Sequence, residues 1–208
     1  MERFARLTAL AAPLIKSNVD TEVIIPIARL IEFAPGQLGP FCFEPWRFHA
    51  DGSPDDSFSL NQAAHRGAQI LITGANFGCG SSREAAVWAL RDMGIRVIVA
   101  ESFGDIFQAN CFQNGLLPII LAARDLARVV LQVSTAAVPR MTIDLERCEM
   151  LLPSGEPIAF TIDPERRMSL IEGADDIELT LRLAGDIEAF ERHDQLARPW
   201  HYPAAAGA

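Results

Sequence analysis

The stretch Ala68-Gln69-Ile70-Leu71-Ile72-Thr73-Gly74-Ala75-Asn76-Phe77-Gly78-Cys79-Gly80-Ser81-Ser82-Arg83-Glu84 decides the fold. Its first part, 68–73, is an apolar run that reads as a buried strand, and a helix-like segment, 83–93, leads out of it. Between them lie glycines, two hydroxyls and an arginine. Glycines let a backbone turn tightly and approach a ligand closely. A helix start offers free N–H groups and a partial positive charge, both suited to an anion. Arg83 adds a planar cation that can hold a carboxylate through two hydrogen bonds. The stretch lacks the Gly-Lys-Ser/Thr ending of a Walker loop and the glycine spacing of a dinucleotide fingerprint. Ser81 and Glu84 also have the spacing of a capping box, which merely starts a helix. The two readings are compatible.

Outward from this stretch the chain alternates. Segment 96–100 reads as a strand, 105–110 as a helix, 116–121 as a strand and 124–132 as a helix. That order predicts an α/β core with parallel crossovers, whose ligands lie at the carboxyl ends of the strands. Upstream, residues 4–15 read as a first strand. The apolar run Leu7 to Ile15 behind Arg3 and Arg6 faintly resembles a leader, but Pro13 interrupts it. The polar turn at 18–22 precedes Val23-Ile24-Ile25-Pro26, read as a short strand; Asp20 and Thr21 could simply cap that turn. Residues 27–58 lack periodicity and carry four prolines and several aromatics. An irregular segment of that length is functional or mobile, so about 27–58 is the candidate flap, with 29–39 the part better suited to move. Asn61 to Arg66 reads as a short helix. Downstream, 141–145, 148–152 and 157–162 read as an antiparallel addition, with helices from 164, 175 and about 186, and a loose tail from about 199 to 208. Residues 1–208 are expected to form a single domain.

The composition narrows the partners. The 208 residues carry a formal net charge of −9. An acidic surface disfavours nucleic acid and anionic membranes, and no apolar run approaches the length of a membrane helix. An anion would need a local positive island. Four widely spaced cysteines, with no C-x-x-C pair, suit reduced thiols in a cytoplasm and argue against a zinc or iron–sulfur site held by this chain alone.

Taken together, Gly74 to Glu84, Asn18-Val19-Asp20-Thr21-Glu22 with Ile24-Ile25-Pro26, Ser102 to Phe107, Asn114 to Pro118 and Gly173 to Ile177 resemble the small subunits of 3-isopropylmalate dehydratases, in the aconitase superfamily. The five landmarks occur in that family's order and cover about residues 5–200. The resemblance implies the swivelling β/β/α domain that aconitases carry at their C-terminal end. It implies a hydro-lyase active only with a large subunit, which interconverts 2- and 3-isopropylmalate by dehydration and rehydration in leucine biosynthesis. The [4Fe-4S] cluster would sit on the large subunit and act as Lewis acid on the leaving hydroxyl, with no metal on this chain. The substrate would be a small dicarboxylate.

By position, Ser81 would be the catalytic base, Arg83 would bind a substrate carboxylate, and Asp20 would support the site. Asn76, Gly78, Gly80 and Ser82 would complete the substrate pocket, and Leu30, Ile31, Phe33 and Leu38 are candidate apolar contacts from the flap. The chain departs from the family pattern at Ala85, where a histidine is usual, at Glu22 in place of aspartate, at Ile27 in place of lysine, and through the flap. A related hydro-lyase acting on another malate or maleate derivative therefore stands as the alternative, and a non-catalytic anion-binding module as a third reading.

Overall fold

The computed structural model describes residues 1–81 and 83–202. Its centre is the strand pair that the apolar runs foretell. Strand β1 (Arg6–Leu14) runs parallel to β2 (Ile70–Thr73), which continues through helix α4 (Glu84–Asp92) to strand β3 (Val97–Ala100). Helix α5 (Asp105–Gln113) then leads to strand β4 (Leu117–Ile120), also parallel. Helix α6 (Ala123–Thr135) crosses to β5 (Arg140–Asp144), which lies antiparallel to β1, with β6 (Glu149–Leu151) and β7 (Pro157–Ala159) beyond it. The seven strands are ordered β4-β3-β2-β1-β5-β6-β7. The fold is thus α/β with an antiparallel extension.

Period-two alternation sends each strand into two apolar layers. Leu71, Ile98 and Ala100 face one layer with Ala85, Ala86, Val87, Ala89 and Leu90 of α4 and Phe107 and Cys111 of α5. Ile70, Ile72, Val97 and Val99 face the other, with Leu126, Val129 and Val133 of α6. Those three recur on one helical face, and burying each contributes about 1.5–3 kcal/mol relative to exposure. Met141, Ile143, Met150 and Ile158 of the antiparallel strands and Leu170 of α7 (Pro164–Glu172) complete this second layer. Asp163 caps α7, accepting from the N–H groups of Glu165 and Arg166 at 3.0 and 3.1 Å.

Three expectations change. Val23–Pro26 is no strand: Thr21–Ile24 is a one-turn helix, α1, because Asp20 accepts the Val23 N–H at 2.8 Å and turns the chain. Asn61–Arg66 is not one helix but parts of two 3₁₀ turns, Ser59–Asn61 and Ala63–His65. Segment 27–58 is not irregular throughout. It contains helix α2 (Ile27–Glu32), a 3₁₀ turn (Gly39–Phe41) and helix α3 (Glu44–Arg47). Arg29 pairs with Glu44 through two nitrogens, at 2.8 and 2.6 Å, and lies over the Phe41 ring. The Asp92 carboxylate accepts the N–H groups of Gly36 and Leu38 at 2.8 and 2.9 Å, so the candidate flap is tied to the last turn of α4. Leu38 is buried in the core and Ile31 is exposed.

The described chain divides into two compact units, Met1–Gly173 and a second beginning at Ala174. In the second, α8 (Asp176–Leu181) starts with a complete capping box between Asp175 and Glu178. Helix α9 (Ala184–Ala197) follows. The expected loose tail is structured at its start. Pro199–His201 form a 3₁₀ turn, and Tyr202 donates its hydroxyl to Asp194 at 3.0 Å. Its remainder, 203–208, lies outside the described residues.

Candidate active site

Three chain segments meet at the carboxyl ends of β1, β2 and β3. The loop after β2 pairs on one side with the 18–21 turn: Ala75 accepts the Asn18 N–H at 2.9 Å, Gly78 donates to Val19 at 2.7 Å, and Cys79 accepts the Thr21 N–H at 3.0 Å. On its other side Phe77 donates to Ser102 at 3.1 Å and accepts from Gly104 at 2.9 Å. Phe77 is fully buried and anchors the loop, with ring centroids 5.5 Å from Phe107 and 6.5 Å from both Phe43 and Phe103. The two glycines have a steric reason. Gly78 has φ +73°, and a Cβ there would enter the Phe107 ring; a Cβ on Gly104 would lie 2.8 Å from the Gly78 carbonyl.

A cavity of about 300 Å³ opens between these segments, lined by Thr21, Asn76, Gly78 to Ser81, Arg83 and residues 104–107. Of the residues singled out in the sequence, Asn76, Gly78, Gly80, Ser81 and Arg83 line it together. Ser82 lies outside the described residues. Asp20 stands beside the cavity, its carboxylate occupied as the cap of α1 and its Cβ beneath Gly80. Asn76 is fixed at both ends: its backbone N–H donates to the Ser102 hydroxyl and its amide to Asn18, each at 2.8 Å.

The capping box expected of Ser81 and Glu84 does not form. The chain is still extended at Arg83, which is the N-cap of α4 and makes no side-chain cap, and Glu84 instead accepts from the Asn114 amide at 2.8 Å. Ser81 is thereby left exposed in the cavity. Thr21, buried, donates its hydroxyl to the Ser81 carbonyl at 2.9 Å and so fixes the serine from behind. Among the described residues, the backbone N–H groups of Gly80 and Ser81 have no acceptor. Arg83 ion-pairs with Glu22, and that guanidinium holds the Glu22 carboxyl below its ordinary range. The cavity therefore combines an exposed hydroxyl, unspent amide donors, a guanidinium and the starts of α4 and α5, a set suited to a carboxylate with a proton-accepting group beside it.

Sequence reasoning left out Thr21, Cys79 and the start of α5. The 102–107 stretch carries the same glycine-then-helix pattern as 80–84, which is the signal that would have placed it. Among the described residues, no three His, Cys, Asp or Glu side chains converge in a way that could hold a metal, and none build an iron–sulfur site.

Comparison with known proteins bears on what such a cavity serves. Residues 1–124 match the aconitase C-terminal domain, and residues 176–204 match the C-terminal domain of the 3-isopropylmalate dehydratase small subunit. The 3-isopropylmalate dehydratase small subunit of Agrobacterium fabrum is 46% identical over 200 residues, covering 96% of this chain and 100% of that one. This chain belongs to the 3-isopropylmalate dehydratase small-subunit family. The small subunit of Gluconacetobacter diazotrophicus is 48% identical over 96% of this chain and 97% of its own. The crystal structure of a 3-isopropylmalate dehydratase from Methanocaldococcus jannaschii superimposes with a TM-score of 0.65 at 26% identity, covering 88% of this chain and 99% of that one. Membership in the family accounts for the α/β core.

Proposed function

We propose that this chain is the small subunit of a 3-isopropylmalate dehydratase, interconverting 2- and 3-isopropylmalate in leucine biosynthesis in complex with a large subunit. The observation that carries this reading is likeness over essentially the full length to relatives of that name. The cavity's chemistry fits it. Arg83 grips one carboxylate of the dicarboxylate. Ser81 accepts the proton from the carbon next to that carboxylate. A serine hydroxyl is a poor base in water, and its alkoxide would need donors and positive charge nearby; the cavity offers the Gly80 amide, the helix starts and the arginine for that purpose. As the C–H bond breaks, negative charge spreads onto the carboxylate. Arg83 then binds the transition state more tightly than the ground state, and that difference accelerates the reaction. Gly78, Gly80 and Asn76 shape the pocket, and Asp20 holds the turn that carries Thr21 against the loop. The [4Fe-4S] cluster belongs to the large subunit on this reading. Four free thiols suit a cytoplasmic setting.

The test is turnover of 2-isopropylmalate by the chain alone and by the chain reconstituted anaerobically with a cluster-loaded large subunit. Activity confined to the mixture is the expected result. A loaded complex that ignores isopropylmalate would move the assignment to another substrate of the same chemistry.

A further inference from the structure

Glu22 has no part in the roles assigned above, yet its carboxylate reaches in two directions. One oxygen pairs with Arg83 Nη1. The other accepts the N–H of Ile27 at 3.1 Å. Ile27 is the first residue of α2, whose N-cap Pro26 supplies no side-chain cap, so Glu22 serves as the acceptor for that helix start. Arg83 lines the cavity with its side chain only 20% exposed, and among the described residues its Nε and Nη2 hydrogens have no partner. A guanidinium is planar and presents donors along two edges. A carboxylate competing for the substrate's place would take two nitrogens in a fork, as Glu44 does on Arg29. Glu22 takes one, at the end of the group, and leaves the Nε/Nη2 edge intact.

We propose that Glu22 is the positioning residue of Arg83: it fixes one end of the guanidinium so that the Nε/Nη2 edge meets the substrate carboxylate, and it ties that grip to the start of α2. The proposal rests on the reading of Arg83 as the carboxylate ligand. It has a consequence for the segment expected to be a flap. A movement of α2 at Ile27 pulls on the carboxylate that sets the arginine, so the 27–39 segment communicates with the anion grip through one side chain.

A double-mutant cycle on the reconstituted enzyme tests this, reading both kcat/KM and the affinity for an unreactive dicarboxylate. Glu22→Gln keeps the size and an oxygen for Ile27 but removes the charge. It is expected to lower kcat/KM about tenfold and to weaken dicarboxylate binding by a similar factor. Glu22→Asp recovers part of the loss. Arg83→Lys removes the fork, and in that background Glu22→Gln costs less than about twofold, because its effect passes through the arginine. Independent, multiplying losses would overturn the proposal and leave Glu22 a structural residue. Tighter dicarboxylate binding by Glu22→Gln would also overturn it, by showing competition. If Arg83→Lys alone keeps full activity, the carboxylate reading of Arg83 falls, and the proposal with it; that result is separable from both others.

Discussion

On the proposal that Ser81 is the base, its reactivity would come from what surrounds it rather than from its own chemistry. The Thr21 hydroxyl holds its carbonyl, the neighbouring amides are unspent, and the side chain is exposed to the cavity. Ser81→Ala is therefore expected to lower kcat by about 10³-fold or more while leaving assembly with the large subunit intact, as read by size-exclusion chromatography beside the turnover assay. Turnover near that of the unaltered enzyme would remove Ser81 as the base. The four thiols give a second residue-level prediction. Cys42 and Cys111 are fully buried, and burial pushes both thiols up from their ordinary value. Cys79 lines the cavity. Limited alkylation followed by peptide mass spectrometry should label Cys79 well before Cys42 or Cys111, and a bound dicarboxylate should protect it. Equal labelling of all three would contradict the burial.

At the scale of elements, helix α4 has a job at each end: Arg83, at its N-cap position, lines the cavity, and Asp92 in its last turn holds the 36–38 backbone. Asp92→Ala leaves the exposed Gly36 N–H and the part-buried Leu38 N–H without their acceptor, a loss of about 1 kcal/mol. The expected result is faster hydrogen exchange at the Gly36 and Leu38 amides with little change elsewhere; unchanged exchange there would show that other contacts hold the segment. This tie was not legible in the sequence, because nothing in Asp92 marks it as a partner of residues more than fifty positions away. The alternating core was legible, since each strand from β2 to β4 is an unbroken apolar run followed by a helix signal. Val23 to Pro26 was misread because a short apolar run fits a strand or a buried turn equally well, and the Asp20 cap decided it. The cavity was legible where one continuous loop supplies it, at Asn76, Gly78, Gly80, Ser81 and Arg83. Thr21 and residues 104–107 reach it from segments that only the folded sheet brings together.

Across the whole molecule, ionisation should shape stability from both sides of neutrality. Arg29 holds Glu44 below its ordinary value of 4.5, and Arg83 does the same for Glu22. A carboxyl depressed in the folded state stabilises it above the unfolded value and loses that contribution as pH falls through the folded one. Stability should thus decline below about pH 4.5, and Glu44→Gln should flatten that decline in denaturant titrations; an unchanged slope would show that the pair contributes nothing. Above about pH 9 the Cys42 and Cys111 thiols ionise in the unfolded chain but stay protonated when buried, so stability falls with pH there as well. The topology also carries a consequence for birth on the ribosome. Strand β1 is made first, yet its partners are β2 and β5. At roughly 5–20 residues per second, about 3–12 s of synthesis separate Leu14 from Thr73. Through that interval the nascent chain carries an apolar strand with no mate, and the loop after β2 cannot take its shape until the wait is over. A chaperone that shelters the first seventy residues would act on the very segment around which the candidate site is later assembled.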